Sequence, residues 1–386
     1  MTRRKVLLVQ PSMQPPGGGN GVAAWMLQAL VPDHDVTVLS WWPVDIEPIN
    51  RFYGTSLEPG TFATHVVPQW WVRAIDRLPV PAALVRGGLL MRYTRNLVDN
   101  FDVVLGAHNE FDYGKRGIQY IHYPTYFRPR PVEDLRWYHH ITPLLHAYYF
   151  VADSIAGFAT ESMKANLTLV NSDWTGQQVR RFLGINTRTL YPPVVAGDPP
   201  PPWETRRSRF VAVGRISPEK EWERVIRIIA GVKRQEPDVT LTIVGTYDEN
   251  TQRYFESLQA LGRELDSTGA LVQFRFNVPR PELRQLFAAH RYGIHGMRNE
   301  HFGMAPAEMA HAGMIVWVPN GGGQTEIVGD AADLAYTNDD DAVEKILRVM
   351  RSESRQRQLR YYLEERGKSF STDNFVSTIK QIVSTF

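Results

Sequence analysis

Short apolar runs alternate along this chain with turn-rich stretches and with segments whose apolar residues recur at helical spacing. Val6 to Val9 is the first run, Pro11 to Gly21 is rich in turn residues, and Val22 to Leu30 carries helical spacing. The order predicted is strand, glycine loop, helix. Asp35 to Trp42 and Asp102 to Gly106 read as further strands. Alternation of this kind predicts a parallel sheet flanked by helices. A break follows between Val194 and Arg209, where Pro199 to Pro202 forms a stiff polyproline segment. The pattern then restarts: strand Phe210 to Gly214, helix Trp222 to Arg234, strand Val239 to Gly245, helix Gln252 to Leu265, and strands Leu271 to Phe276 and Tyr292 to Met297. Two doubly wound α/β domains, 1–195 and 196–371, are expected to face each other across a cleft, with ligands at the carboxyl ends of the strands. The last segment, Thr372 to Phe386, spaces Phe375, Ile379, Ile382 and Val383 helically. It is expected either to cap the second domain or to cross back onto the first.

Composition narrows the class. A chain of 386 residues suits two domains, and 43% hydrophobic with 22% charged residues is that of a globular protein. The absence of cysteine excludes disulfides, zinc-thiolate sites, iron–sulfur clusters and cysteine nucleophiles. The basic Met1 to Lys5 is followed by an apolar run too short for a signal-peptide core, and no run reaches membrane-spanning length. A cytoplasmic location is expected. The net charge of +2 gives no field that selects nucleic acid. Between Trp70 and Arg95, however, Arg73, Arg77, Arg86, Arg92 and Arg95 stand against Asp76 alone, interleaved with Trp70, Trp71, Leu78, Leu84, Leu89, Leu90 and Met91. Such a stretch suits peripheral contact of residues 70–95 with an anionic membrane face or a lipid-linked ligand; a solvated basic face with a few packed aromatics fits equally.

The most specific chemistry lies in the second half. Glu300 is followed by Phe302, Gly303 and Met304, then by Pro306 and Glu308, with Gly313 beyond. Pro306 suits a first helical turn and Gly313 a left-handed exit, so Gly303 and Met304 should offer free backbone N–H groups to a phosphate. Glu308 is placed to accept from a vicinal diol such as a ribose, and Glu300 to reach a neutral polar group beside the anion. Either glutamate alone would read as an ordinary solvated or dipole-favoured acid. Gly214 and Arg215 close a strand and Lys220 follows, so Arg215 and Lys220 are expected to face the same crevice and neutralise an anion. Asn320 to Gly323 is another candidate phosphate nest. In the first half, Gly17 to Gly21 contains Gly19-x-Gly21-x-x-Ala24, a weak dinucleotide fingerprint, but the strand Asp35 to Trp42 ends without an acid for a ribose. His122 ends an apolar strand just before Pro124, a position open to a structural or a ligand-facing role. Asp339 to Asp341 reads as a helix cap rather than a metal motif, the sequon at Asn166 as incidental, and His139, His140 and His146 as packed or solvated.

Together these strings resemble a known family. Glu300-His-Phe-Gly-Met-Ala-Pro-Ala-Glu308 is similar to the E-x7-E element of the retaining glycosyltransferases of the GT-B fold, family 4, and Gly214-Arg-Ile-Ser-Pro-Glu-Lys220 to its donor-phosphate motif. Tyr120-Ile-His-Tyr-Pro-Thr125, Leu169-Val-Asn-Ser-Asp-Trp-Thr175 and Leu190-Tyr-Pro-Pro193 resemble the branch that elongates lipid-linked oligosaccharides from GDP-mannose. The resemblance implies two Rossmann-like domains and a retaining, metal-independent hexosyltransferase without cofactor. Its partners would be a GDP- or UDP-linked sugar donor and a glycan or lipid-linked acceptor. It places Arg215 and Lys220 on the donor diphosphate, with Gly18 and Gly19 beside it, and puts Phe302, Gly303 and Met304 at the donor. Glu308 would hold the ribose, Glu300 the sugar hydroxyls, and His122 would lie near the reacting centre. Where the family often has glycine after Lys220, this chain has Glu221. Two other readings stand beside it: an epimerase or hydrolase of the same donor, and an NAD-binding domain pair.

Overall fold

The computed structural model describes residues 3–76, 83–125, 154, 156–197, 199–246 and 251–386. It divides into two units, Met1–Leu190 with Phe375–Phe386, and Tyr191–Asn374.

The first unit carries β1 (Lys5–Val9), β2 (Asp35–Ser40), β3 (Ala63–Val66), β4 (Val103–Gly106), β5 (Ile118–Ile121), β6 (Leu167–Val170) and β7 (Arg188–Thr189), in the order β3-β2-β1-β4-β5-β6-β7. Every pairing is parallel; Val6 lies opposite Val36 on one side and Val103 on the other. β1 is buried on both faces, as a central parallel strand must be. Its alternation sends Val6 and Leu8 into one apolar cluster and Leu7 and Val9 into another. The first of these clusters also takes Phe375, Ile379, Ile382 and Val383 from the helix Thr372–Thr385. That helix is tied to the unit by Lys380 on Asp33 at 2.8 Å and by the Arg4 guanidinium donating to the Val383 carbonyl at 2.7 Å.

The second unit carries β8 (Arg207–Val213), β9 (Leu241–Gly245), β10 (Val272–Phe276), β11 (His290–Ile294), β12 (Ile315–Pro319) and β13 (Ala335–Tyr336), in the order β10-β9-β8-β11-β12-β13, again all parallel. In both sheets the order reverses beside the first strand, between β1 and β4 and between β8 and β11. The loops leaving those strands are where an open α/β sheet holds its ligands.

Two expectations about elements are corrected. The strand expected over Tyr292 to Met297 ends at Ile294, so the residues from His295 onward are free to turn at the strand end. The glycine loop is shorter than expected: the helix begins at Gly18, so Gly18, Gly19 and Gly21 lie in its first turn. Glycine is required there by close approach. A Cβ on Gly19 would lie 2.9 Å from His122 Nε2, and one on Gly21 2.9 Å from the Tyr53 ring. Among the described residues no helix is long and apolar enough to cross a membrane.

Candidate functional site

In the second unit the site is assembled by the loops after β8 and β11. β8 leads to Gly214 and Arg215, whose carbonyl accepts from Trp222 Nε1 at 2.8 Å, and then to the turn Pro218–Lys220. Glu221 follows in the left-handed region (φ 51°, ψ 46°) and starts the helix Trp222–Lys233. A left-handed residue there accounts for the family's glycine. In this chain the strained glutamate is held by its side chain, which pairs with Arg224 at 3.1 Å and Arg298 at 3.4 Å. The reversal aims Lys220 at the loop after β11. Its Nζ lies 2.5 Å from Glu300 Oε2 and 3.3 Å from Met297 Sδ. His295 Nε2 lies 3.2 Å from the same carboxylate oxygen. Burial works against the Glu300 charge, but the hydrogen bond from His295 and the Lys220 ammonium outweigh it and hold the carboxyl well below its ordinary range. Glu300 is therefore an anion at neutral pH, and Lys220 sits paired on it. Arg215, expected beside Lys220, instead lies out in solvent, 72% exposed, against Glu219 at 3.2 Å.

The helix Met304–His311 starts from Gly303, which takes a positive φ of 98° and leaves the first turn without a side-chain cap. Pro306 lies in that turn and Gly313 leaves with φ 75°. The first-turn N–H groups beside Gly303 are thus the anion-attracting end of a helix next to Glu300. The expectation for Phe302 is corrected. Its side chain is 2% exposed and packs on Tyr191 and Phe370, with ring centroids at 5.9 and 5.6 Å, so the ring shapes the turn from within the core.

Glu308 is not a bare acceptor. Arg280 Nη1 donates to both its oxygens, at 2.8 and 2.9 Å. Sequence reasoning missed Arg280, although it opens a helix directly after β10 and its loop, at a carboxyl strand end. The glycine loop 320–323 is also corrected. It clasps the Glu300 turn instead of cradling a phosphate: Gly323 N–H donates to the Glu300 carbonyl at 2.8 Å, and Gln324 Nε2 to the Met297 carbonyl at 2.7 Å. Gly322, at φ 78°, leaves no room for a side chain, since a Cβ would sit 2.4 Å from the Glu300 carbonyl oxygen.

At the corresponding strand ends of the first unit, amide and backbone groups predominate, beside the buried Glu110, which accepts from the Thr125 N–H at 2.7 Å and the Thr125 hydroxyl at 2.9 Å. Gln10 Nε2 donates to Asn20 Oδ1 at 2.9 Å and thereby sets the first helical turn that contains Gly18 and Gly19. His122 lies against Gly19. Its Nε2 is 3.0 Å from the Ala107 carbonyl, its N–H donates to Asn109 Oδ1 at 2.9 Å, and its carbonyl accepts from Asn171 at 2.9 Å. Asn109, another residue sequence reasoning missed, adopts φ 54° to do this. Asp45, beyond the end of β2, accepts from Glu47 N–H and starts a helix, so it is no ribose ligand.

Several minor signals also find their places. Asn338 caps the helix Asp339–Met350, whose first turn holds the three aspartates. Asn166 is 6% exposed and hydrogen-bonded to Gly117 and Phe111. Of the 70–95 stretch, Leu90 and Met91 are buried, Arg95 pairs with Asp112 at 3.3 Å, and Trp70 is 68% exposed. The Arg86 guanidinium lies 5.7 Å from the centre of the Trp42 ring. Arg77 and Leu78, like His139, His140 and His146, lie outside the described residues.

The glycosyl transferases group 1 family matches residues 198–366, the span that holds Lys220, Glu300, Gly303 and Glu308. A Dictyostelium discoideum protein named GDP-Man:Man(3)GlcNAc(2)-PP-Dol alpha-1,2-mannosyltransferase is 29% identical over 189 residues, 45% of this chain and 37% of its own length. The Homo sapiens protein of that name is 27% identical over 250 residues, 60% of this chain and 50% of its own. The chain thus spans at most half the length of these relatives. Among solved structures, Anabaena Alr3699/HepE in complex with UDP and glucose superposes with a TM-score of 0.66 at 16% identity, covering 100% of both chains. WaaG, a glycosyltransferase involved in lipopolysaccharide biosynthesis, gives 0.67 at 16% identity over 97% of this chain and 99% of its own. Residues 198–366 of this chain are thus similar to the glycosyl transferases group 1 family, and its two parallel-sheet units have the GT-B fold.

Proposed function

We propose that this protein is a retaining glycosyltransferase that moves a hexosyl unit, mannose from GDP-mannose in the favoured case, to a glycan or lipid-linked acceptor. The observation that carries the reading is the Lys220–Glu300 pair at the point where the second sheet reverses its order, beside the uncapped helix start at Gly303. A diphosphate leaving group needs positive charge at its oxygens, and Lys220 with the Gly303 helix terminus supplies it without a metal ion. Glu300, kept anionic, accepts from sugar hydroxyls and steadies positive charge near the anomeric carbon. Glu308, aligned by Arg280, takes the ribose hydroxyls. The family resemblance assigns His122, Gly18 and Gly19 to the same reaction, His122 to the reacting centre and the two glycines to the donor diphosphate. The shared name of the curated relatives favours mannose and GDP; UDP sugars are the competing donors.

The exposed Trp70 and the Arg86–Trp42 pair support acceptor-side contact with a membrane or lipid-linked ligand, at the cytoplasmic face. The test is a thermal-shift screen of nucleoside diphosphates and nucleotide sugars, followed by product analysis with the stabilising donor. Stabilisation by GDP and GDP-mannose with a new α-glycoside supports the proposal. Free sugar or epimerised donor without glycoside would replace it with the hydrolase or epimerase reading, and stabilisation by NAD alone would end it.

A further inference from the structure

His295 lies one step behind the residues just assigned, and its geometry gives it a defined task. It leaves β11 with its backbone pinned: its N–H donates to the Trp317 carbonyl at 2.9 Å and its carbonyl accepts from Tyr336 Oη at 2.5 Å. The next residue, Gly296, has no freedom to drift, because a Cβ there would lie 2.8 Å from the Lys220 carbonyl oxygen and 2.9 Å from that of Glu221. The imidazole is 3% exposed. Lys220, by contrast, reaches Glu300 along a flexible four-carbon stem with three donors that can be redirected.

Both donors meet the same atom. Lys220 and His295 converge on Glu300 Oε2, and among the described residues no hydrogen bond reaches Oε1. An ionised carboxylate has only lone pairs to offer, so the His295 Nε2 that faces it must carry the proton. We propose that His295 is a positioning residue: it holds Glu300 by Oε2, presents Oε1 to a substrate hydroxyl, and keeps that orientation when Lys220 moves to the leaving diphosphate. Without His295, departure of Lys220 would leave a mostly buried carboxylate with neither a donor nor a fixed direction, a costly arrangement in a low-dielectric site. This division of labour rests on the donor assignment above and deepens it: one partner of Glu300 is permanent and the other is exchanged during the cycle.

The experiment compares His295→Gln, which keeps an N–H within reach of Glu300, with His295→Leu, which keeps volume and no donor. His295→Leu is expected to lower kcat by about 10- to 100-fold while the KM for the donor changes by less than about threefold, with His295→Gln recovering most of the loss. Equal loss in both variants, tracking equal loss of thermal stability, would show a packing role and overturn the proposal. A second readout does not need turnover. In the full chain labelled with nitrogen-15 histidine, the His295 resonances, assigned as those lost in His295→Gln, should show a protonated Nε2 both free and with GDP bound. An unprotonated Nε2, or one that loses its proton when GDP binds, would overturn it as well. If the wild-type protein transfers sugar from no donor, the functional reading fails, and the nitrogen-15 spectrum still decides what His295 does.

Discussion

The two units share a strand order and a switch point but furnish them in opposite ways. At the carboxyl ends of β1, β4 and β5, side-chain amides and backbone groups predominate: Gln10 on Asn20, His122 on the Ala107 carbonyl, Asn109 on the His122 N–H, with Glu110 accepting from Thr125. At the ends of β8, β10 and β11 the pairs are ionic: Lys220 on Glu300, Arg280 on Glu308. A network of amides and backbone groups binds by shape and by a few exchangeable hydrogen bonds. In an ionic one each charge is already paired, so any anion that takes up Lys220 competes with the Glu300 carboxylate.

Six measurements would break or sharpen that contrast. The largest effect is expected from Lys220→Ala, which removes the charge opposing the leaving group and should lower kcat by about 100- to 1000-fold. His122→Ala, at the strand ends of the first unit, should cost about 10- to 100-fold, so a loss at His122 equal to that at Lys220 would erase the distinction. Next comes stability: Gly322→Ala forces a side chain at φ 78° against the Glu300 backbone, and urea unfolding should show a loss of about 3 kcal/mol. Glu308→Ala should weaken GDP binding about tenfold by calorimetry; unchanged binding would remove Glu308 from the donor site. Because Glu300 titrates below the ordinary glutamate value of 4.5, its ionised form stabilises the fold fully above that pH and progressively less as pH falls toward the lower folded value. Glu300→Gln should therefore flatten the acid limb of stability against pH, and an unchanged limb would contradict the pairing. The smallest effect belongs to Glu221→Gly. Relief of left-handed strain and loss of the Arg224 and Arg298 pairs oppose one another, so stability should change by less than about 1 kcal/mol.

Local punctuation made part of this readable in advance. Pro306 marks the first turn of its helix and Gly313 the exit from it, and Gly214 through Lys220 is a strand end whose turn residues announce it. What escaped were partners distant in sequence: Arg280 for Glu308, His295 for Glu300, and Tyr191 and Phe370 for Phe302. No local pattern marks a histidine as buried against a particular carboxylate, because the burial is supplied by β12 and by Tyr336. Gly18 and Gly19 misled for a related reason. Glycine's intrinsic preference speaks for a loop, whereas the helix begins at Gly18 and, at Gly19, contact with His122 demands glycine inside it.

The return of Phe375, Ile379, Ile382 and Val383 to the first unit bears on the order in which the protein can be made. Residues 191–374 form a contiguous unit that can close as soon as it leaves the ribosome. The unit that is synthesised first must wait, part of the apolar cluster on one face of its sheet uncovered, until the helix Thr372–Thr385 arrives. A stop codon before Phe375 would therefore spare the half that was made later and leave the earlier half with an apolar surface open to chaperones and proteases.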